Sequence, residues 1–354
     1  MTRASRVVSC SLLIVMSAAF TIAPVTVRGA AGTDFWVSDA AAGEVGTGTS
    51  CSNPDVHYAA VDGLNSALAA IYEDDNFGSG DVIILCDIDE EAGHVDYVMT
   101  SDVSIGGEPT LDLSDTETPG SLSIRGDATD AESIVIDAND NDGPDDGGYA
   151  PFDFTDADVT ISNLTILNAW DDSDGAAIHS IGADAGDGIL LTLNKVAIRS
   201  ASADGDGAGV WAGGDVTVID SVFELNHAGG YGGAIASIGN VTIRNTRLAD
   251  NTASRGGALW MWQRQLTLSK TTFADNAAEG GPGGAIYRVD SDAPIQVSNS
   301  AFENNSATDT GGAISARGYS RSRVSNTNFD GNHSDTWGGA LDFNGSWDLN
   351  TVTM

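Results

Sequence analysis

Basic residues are scarce in this chain. Fifteen Lys and Arg face 51 Asp and Glu, and Lys195 and Lys270 are its two lysines. A surface so acidic repels phosphate backbones and anionic lipid, which excludes nucleic acid and anionic membranes as partners. Long apolar runs are also missing. The longest, Val7–Phe20, follows Arg3 and Arg6 and leads to Gly29-Ala30-Ala31. A basic start, a short apolar stretch and small residues at a cleavage point predict an export signal over residues 1–31. The run is interrupted by Ser9 and Ser11 and is too short to cross a bilayer, so no direct membrane span is expected. With Arg3, Arg6 and Arg28 assigned to this leader, twelve of the 15 basic residues remain. Cysteine is rare as well. Cys10 leaves with the leader, so Cys51 and Cys86 remain; an even count in an exported chain suggests one disulfide, the alternative being two buried thiols.

Glycine is abundant, and it recurs. Gly-Gly-Ala-(Ile/Leu) begins at Gly232-Gly233, Gly256-Gly257, Gly283-Gly284, Gly311-Gly312 and Gly338-Gly339, with looser copies at Gly175 and Gly207. From Gly207 onward the steps are 25, 24, 27, 28 and 27 residues. A second anchor, Phe-x-x-Asn, ends at Asn226, Asn276, Asn305 and Asn332, with Leu248 and Asn251 as the variant copy. Between the anchors lie short alternating runs such as Val241-Thr242-Ile243 and Leu266-Thr267-Leu268. Alternation of period two means short strands with one buried face, and Gly and Asn mark corners. A unit of this length buries no core alone and must stack on its neighbours. Strands in register about 4.8 Å apart then set Ile on Ile and Phe on Phe, and Asn amides at a turn hydrogen-bond along the axis. The predicted fold is all-β, a single-stranded parallel β-helix.

Upstream, Asp34–Val37, Val82–Leu85, Ser121–Ile124, Ile134–Asp137 and Val159–Ile166 read as strands of less regular coils. Leu64, Leu68 and Ile71 share one face of a short amphipathic helix, expected to cap the open apolar end. The domain reading is a leader at 1–31, a cap and first coil at 32–100, and a β-helix at 101–354 with regular repeats at 207–344. The last copy stops in mid-repeat, predicting a continuation beyond Met354.

The paired anchors, Gly-Gly-Ala-(Ile/Leu) and Phe-x-x-Asn from Gly207 to Asn344, resemble the repeat of chlamydial-type polymorphic outer membrane proteins. The stretch with Ile136-Asp137 and Val159–Ile166 is similar to the pectin-lyase-like superfamily, and Cys51-Ser52 resembles the start of a cap motif of exported β-helix proteins. The resemblance implies a right-handed helix, export to the cell surface or exterior, adhesion, an extracellular glycan or cell surface as partner, and a translocating β-barrel that this sequence does not contain.

Chemistry is less legible. A polysaccharide lyase needs clustered carboxylates, often with calcium, and a nearby Arg or Lys. Arg244, Arg247, Arg255, Arg264, Arg288, Arg317, Arg321 and Arg323 fall on the later coils and read as surface partners of Asp and Glu. The segment Asp137–Gly148 is the densest acidic run; Asp137, Asn139, Asn141 and Asp142 are weak Ca²⁺ ligands at most, since Gly143 and Gly148 break the EF-hand pattern. No other cofactor is implied. His57, His94, His179, His227 and His333 lack metal-ligand spacing and read as surface residues. The residue after each Gly-Gly-Ala-Ile anchor is Trp211, Ala236, Trp260, Tyr287, Ser315 and Asp342 in turn. Facing outward, Trp211, Trp260 and Tyr287 would form a stripe for sugar rings; facing inward, they would fill the core. The expected function is a non-catalytic adhesin, with a polysaccharide lyase or glycan-binding module as the alternative.

Overall fold

The computed structural model describes residues 34–38, 50–51, 54, 56–57, 81–86, 97–98, 121–127, 134–138, 151–155, 158–181, 189–262, 264–289 and 293–353. All its regular structure is β, every pairing is parallel, and no helix occurs among the described residues. The expected cap helix at residues 61–71 lies outside them.

Each regular coil contains four short strands, and corresponding strands stack into four ladders. Taking one coil, ladder A holds Ile235–Ser237, ladder B Val241–Arg244, ladder C Arg247–Ala249 and ladder D Thr252–Arg255. Ladder D is a separate seven-stranded sheet, giving about seven turns of solenoid. Ladder B reaches furthest back, through Ser121–Gly126, Asp81–Cys86 and Asp34–Ser38 to Val56–His57. Cys51 and Cys86 are bonded, with their Cα atoms 5.4 Å apart, so the disulfide ties the segment before Val56–His57 to ladder B.

Three corners of each coil require a left-handed backbone. Between B and C the position is filled by Asn163, Lys195, Asp220, Asn245, Lys270, Asn299 and Asn326, all near φ +50°. Between D and A it is the first Gly of each pair, from Gly175 to Gly338, at φ +61° to +77°. The second Gly is there for a different reason: a Cβ on Gly284 would lie 2.0 Å from the Gly312 carbonyl oxygen, so adjacent coils touch backbone to backbone.

The third corner, between C and D, corrects the sequence reading. The Asn of Phe-x-x-Asn does not make the turn. The residue before it does: Leu225, Asp250, Asp275, Asn304 and Gly331 carry the positive φ. Asn226, Asn251, Asn276 and Asn305 point inward and are fully buried. Each Nδ2 donates to the Oδ1 of the next Asn, at 2.9, 3.0, 2.9 and 2.8 Å from Asn226 to Asn332. The same oxygen accepts the backbone N–H of the Asn before it, at 3.1 Å in every coil. Burying an amide without partners costs roughly 1–3 kcal/mol, and in Asn251, Asn276 and Asn305 all four capacities are used, the second N–H donating to the carbonyls of Phe223, Leu248 and Phe273.

Inside, Ile and Val of ladders A and B face a continuous core. Phe273, Phe302 and Phe329 stack with centroids 4.9 Å apart and rings within 6° of parallel. One inward position is discordant. Arg288 follows Met261 and precedes Ala316 in the same column and is 1% exposed, against the expectation of a surface arginine. Its guanidinium donates to the Ala293 carbonyl, and burial lowers its pKa to about 10.

Candidate functional site

The first Gly of each pair folds the D-to-A turn against the outer side of ladder A. A Cβ on Gly175 would meet the His179 Cβ at 3.0 Å, and one on Gly207 would meet the Ala236 Cβ at the same distance. Two columns of side chains therefore run side by side along the solenoid axis. One is the outward row of ladder A: Asp153, His179, Trp211, Ala236, Trp260, Tyr287, Ser315 and Asp342, in unbroken register. The other is the residue preceding each first Gly, from Asp174 and Asp206 through Tyr231 and Arg255 to Pro282, Thr310 and Trp337. Together they form a groove outside the core.

The orientation of the aromatic stripe follows from this. Trp211, Trp260 and Tyr287 face outward, because strand alternation gives the inward positions to Val210 and Ala212 and their equivalents. They form a small cluster of their own with Tyr231, Ile238 and Val289. Tyr231 stacks on Trp260 of the next coil at 5.3 Å, and Arg255 lies over the Tyr231 ring at 5.4 Å. This leaves Trp260 6% and Tyr287 8% exposed, while Trp211 and Tyr231 are only half-buried. Ring surface open to a ligand therefore lies at Trp211 and Tyr231, with Trp260 and Tyr287 supporting it from beneath.

The N-terminal end of the groove is charged. His179 Nδ1 donates to Asp153 Oδ1 at 3.0 Å, and its ring lies 5.1 Å from that of Trp211. His179 is thus a half-buried member of the groove and not the plain surface residue its spacing suggested. Burial opposes its charged form, but the hydrogen bond and charge of Asp153, with the charges of Asp174 and Asp171, outweigh it and raise the pKa above 6.5. Asp174 Oδ1 accepts the Asp206 N–H at 2.6 Å, and Asp206 Oδ1 accepts the Tyr231 N–H at 2.7 Å. Burial, reinforced by Asp174, raises the Asp206 pKa although the Tyr231 N–H pulls the other way. Sequence spacing missed this cluster because its members sit 26 and 32 residues apart. The available clue was the Asp-Gly dipeptide opening both loose anchors, at Gly175 and Gly207.

A family model of right-handed β-helix regions matches residues 153–329, half of the chain. The chain belongs to the right-handed β-helix family. No curated protein matches it. Among solved structures, this β-helix is similar to the PL6 family alginate lyase AlyGC, with a TM-score of 0.50 and 13% identity over 92% of this chain. It spans 40% of that enzyme's length, and the likeness is one of fold.

Of the remaining sequence candidates, Asp137, His227, His333 and Arg247 lie away from this groove. Asp137 accepts a hydrogen bond from Asn168 at 3.0 Å; Asn139, Asn141 and Asp142 lie outside the described residues. His227 and His333 are exposed, bonded to Thr252 and Asp335. The His57 side chain and all of His94 also lie outside the described residues. Arg247 does pair with a surface carboxylate, Glu224, at 3.1 Å.

Proposed function

We propose that this β-helix is an exported, surface or adhesion-type protein that binds an extended glycan along the outer side of ladder A. The observation that carries this reading is the half-buried ring surface of Trp211 and Tyr231, held in a groove by Trp260 and Tyr287. Aromatic faces stacked against the apolar faces of sugar rings bind at small entropic cost, because the rings are already fixed. The paired Gly-Gly-Ala and Phe-x-x-Asn anchors, similar to those of polymorphic outer membrane proteins, favour display at a cell surface. A glycan array probed with the purified chain tests it. Binding lost on Trp211→Ala supports the reading, and silence across the array removes it.

Polysaccharide lyase activity is the second reading. It is favoured by the fold likeness to an alginate lyase and by His179, whose charge, sustained by Asp153, suits neutralisation of a uronate carboxylate. The carboxylates around His179 oppose a polyanionic substrate unless a divalent cation intervenes, which places this reading second. Release of unsaturated uronides from alginate or pectin, with and without calcium, distinguishes the two.

A further inference from the structure

The open part of the groove carries two kinds of side chain. Trp211 and Tyr231 supply ring surface, and the adjoining wall is acidic. Asp174 and Asp206 occupy the same position in successive coils, each using Oδ1 to accept a backbone N–H of the following coil. That leaves Oδ2 of each without a hydrogen bond among the described residues. The imidazole nearest to them is already engaged by Asp153. Burial, with the charge of Asp174 adding to it, raises the Asp206 pKa, and the cation of the same column, Arg255, is engaged over the Tyr231 ring.

We propose that this end of the groove takes an extended polysaccharide whose sugars carry free amino groups, with ring faces on Trp211 and Tyr231 and ammonium groups against Asp174 and Asp206. This rests on the glycan-binding reading and names its substrate class. Three features favour that occupant over other glycans. Coils repeat every ~4.8 Å, so Asp174 and Asp206 set two carboxylates one coil apart along the line that an extended sugar chain would follow. An ammonium beside an indole face gains a cation–π attraction, and against a carboxylate a charge-assisted hydrogen bond. The net charge of −36 draws a polycation in and turns a polyuronate away.

Calorimetric titration of the intact chain with three oligosaccharides of equal length tests this. They are a β-1,4-linked glucosamine oligomer, its fully N-acetylated counterpart and an oligouronate. The expected order is glucosamine oligomer first, acetylated oligomer weaker, and no heat from the oligouronate. Equal affinity for the amine and acetylated forms overturns the amino-sugar proposal and leaves the glycan-binding reading standing. Preference for the oligouronate overturns the proposal and shifts weight to the lyase reading. Silence towards all three overturns both. Asp174→Asn and Asp206→Asn keep the Oδ1 acceptor and hence the turn. Each is expected to weaken binding of the amine oligomer about tenfold, the scale of one hydrogen bond to a charged group. Unchanged affinity in the double variant overturns the proposal. Trp211→Ala is expected to abolish binding of both the amine and acetylated forms.

Discussion

The two turns that flank ladder D are built from the same repeat and have opposite character. At the C-to-D corner the buried position is Asn in five successive coils, and the polar capacity of each amide is spent along the axis. At the D-to-A turn the position before glycine changes in every coil, from Asp174 and Asp206 to Tyr231, Arg255, Pro282, Thr310 and Trp337. A column that must bond to its own copies above and below tolerates one residue type. A column facing outward is released from that demand and takes up varied chemistry. In this solenoid, uniformity along the axis marks what holds the coils together, and variation marks what meets a ligand.

That contrast can be tested by substitution. Phe302→Ala removes the middle ring of the uniform Phe stack and should cost about 3–5 kcal/mol, read as a lower urea midpoint. Asn276→Ala removes the acceptor of Asn251 and the donor to Asn305 and Leu248, so a loss of roughly 2–4 kcal/mol is expected. Hydrogen exchange should locate the loosening at the coils on either side. Equal tolerance of alanine at Asn276 and at Trp337, which is 75% exposed, would break the contrast. Leu225→Asn should act in the opposite direction. Leu225 holds φ +60° with its side chain 60% exposed, so Asn, which accepts that backbone, should stabilise by about 1 kcal/mol.

The smallest effect is one of pH. The raised pKa of His179 means that the folded chain binds its proton more tightly than the unfolded chain does. The stabilisation is complete below pH 6.5, and it is lost as pH rises through the folded value above that. Thermal unfolding across this window should show Tm falling with pH, and His179→Gln should flatten the slope. An unchanged slope in the variant would remove His179 from the charge balance of the groove.

The architecture was legible because its determinants repeat. Gly-Gly-Ala, Phe-x-x-Asn and the alternating runs recur at nearly constant spacing, and stacking then follows from the need to bury one face. The amide stack of the Asn along the axis was legible, but its place at the corner was misread for a physical reason. Both a left-handed corner and an amide ladder select Asn, and sequence alone does not separate them. The adjacent Leu225, Asp250 and Asp275 reveal the corner only once φ is known. The groove was half legible. Trp211, Trp260 and Tyr287 were aligned by the anchor, but alternation leaves the facing of a strand undetermined until its neighbours are placed. Asp153 and His179 escaped because their coils are irregular in length, so no fixed offset relates them. Arg288 escaped because its anchor is followed by the same apparent pattern as in coils where Met or Ala fills the inward position.

The amide ladder also gives the solenoid a direction. From Asn251 to Asn332 each Oδ1 accepts from the coil before it, so the carbonyl dipoles of successive amides point the same way. A rod assembled like this is chemically polar from one coil to the next, presenting acceptors upstream and donors downstream. A coil added in reverse orientation would set N–H against N–H at the downstream end and oxygen against oxygen at the upstream end, so the protein propagates its own sense of orientation with every turn.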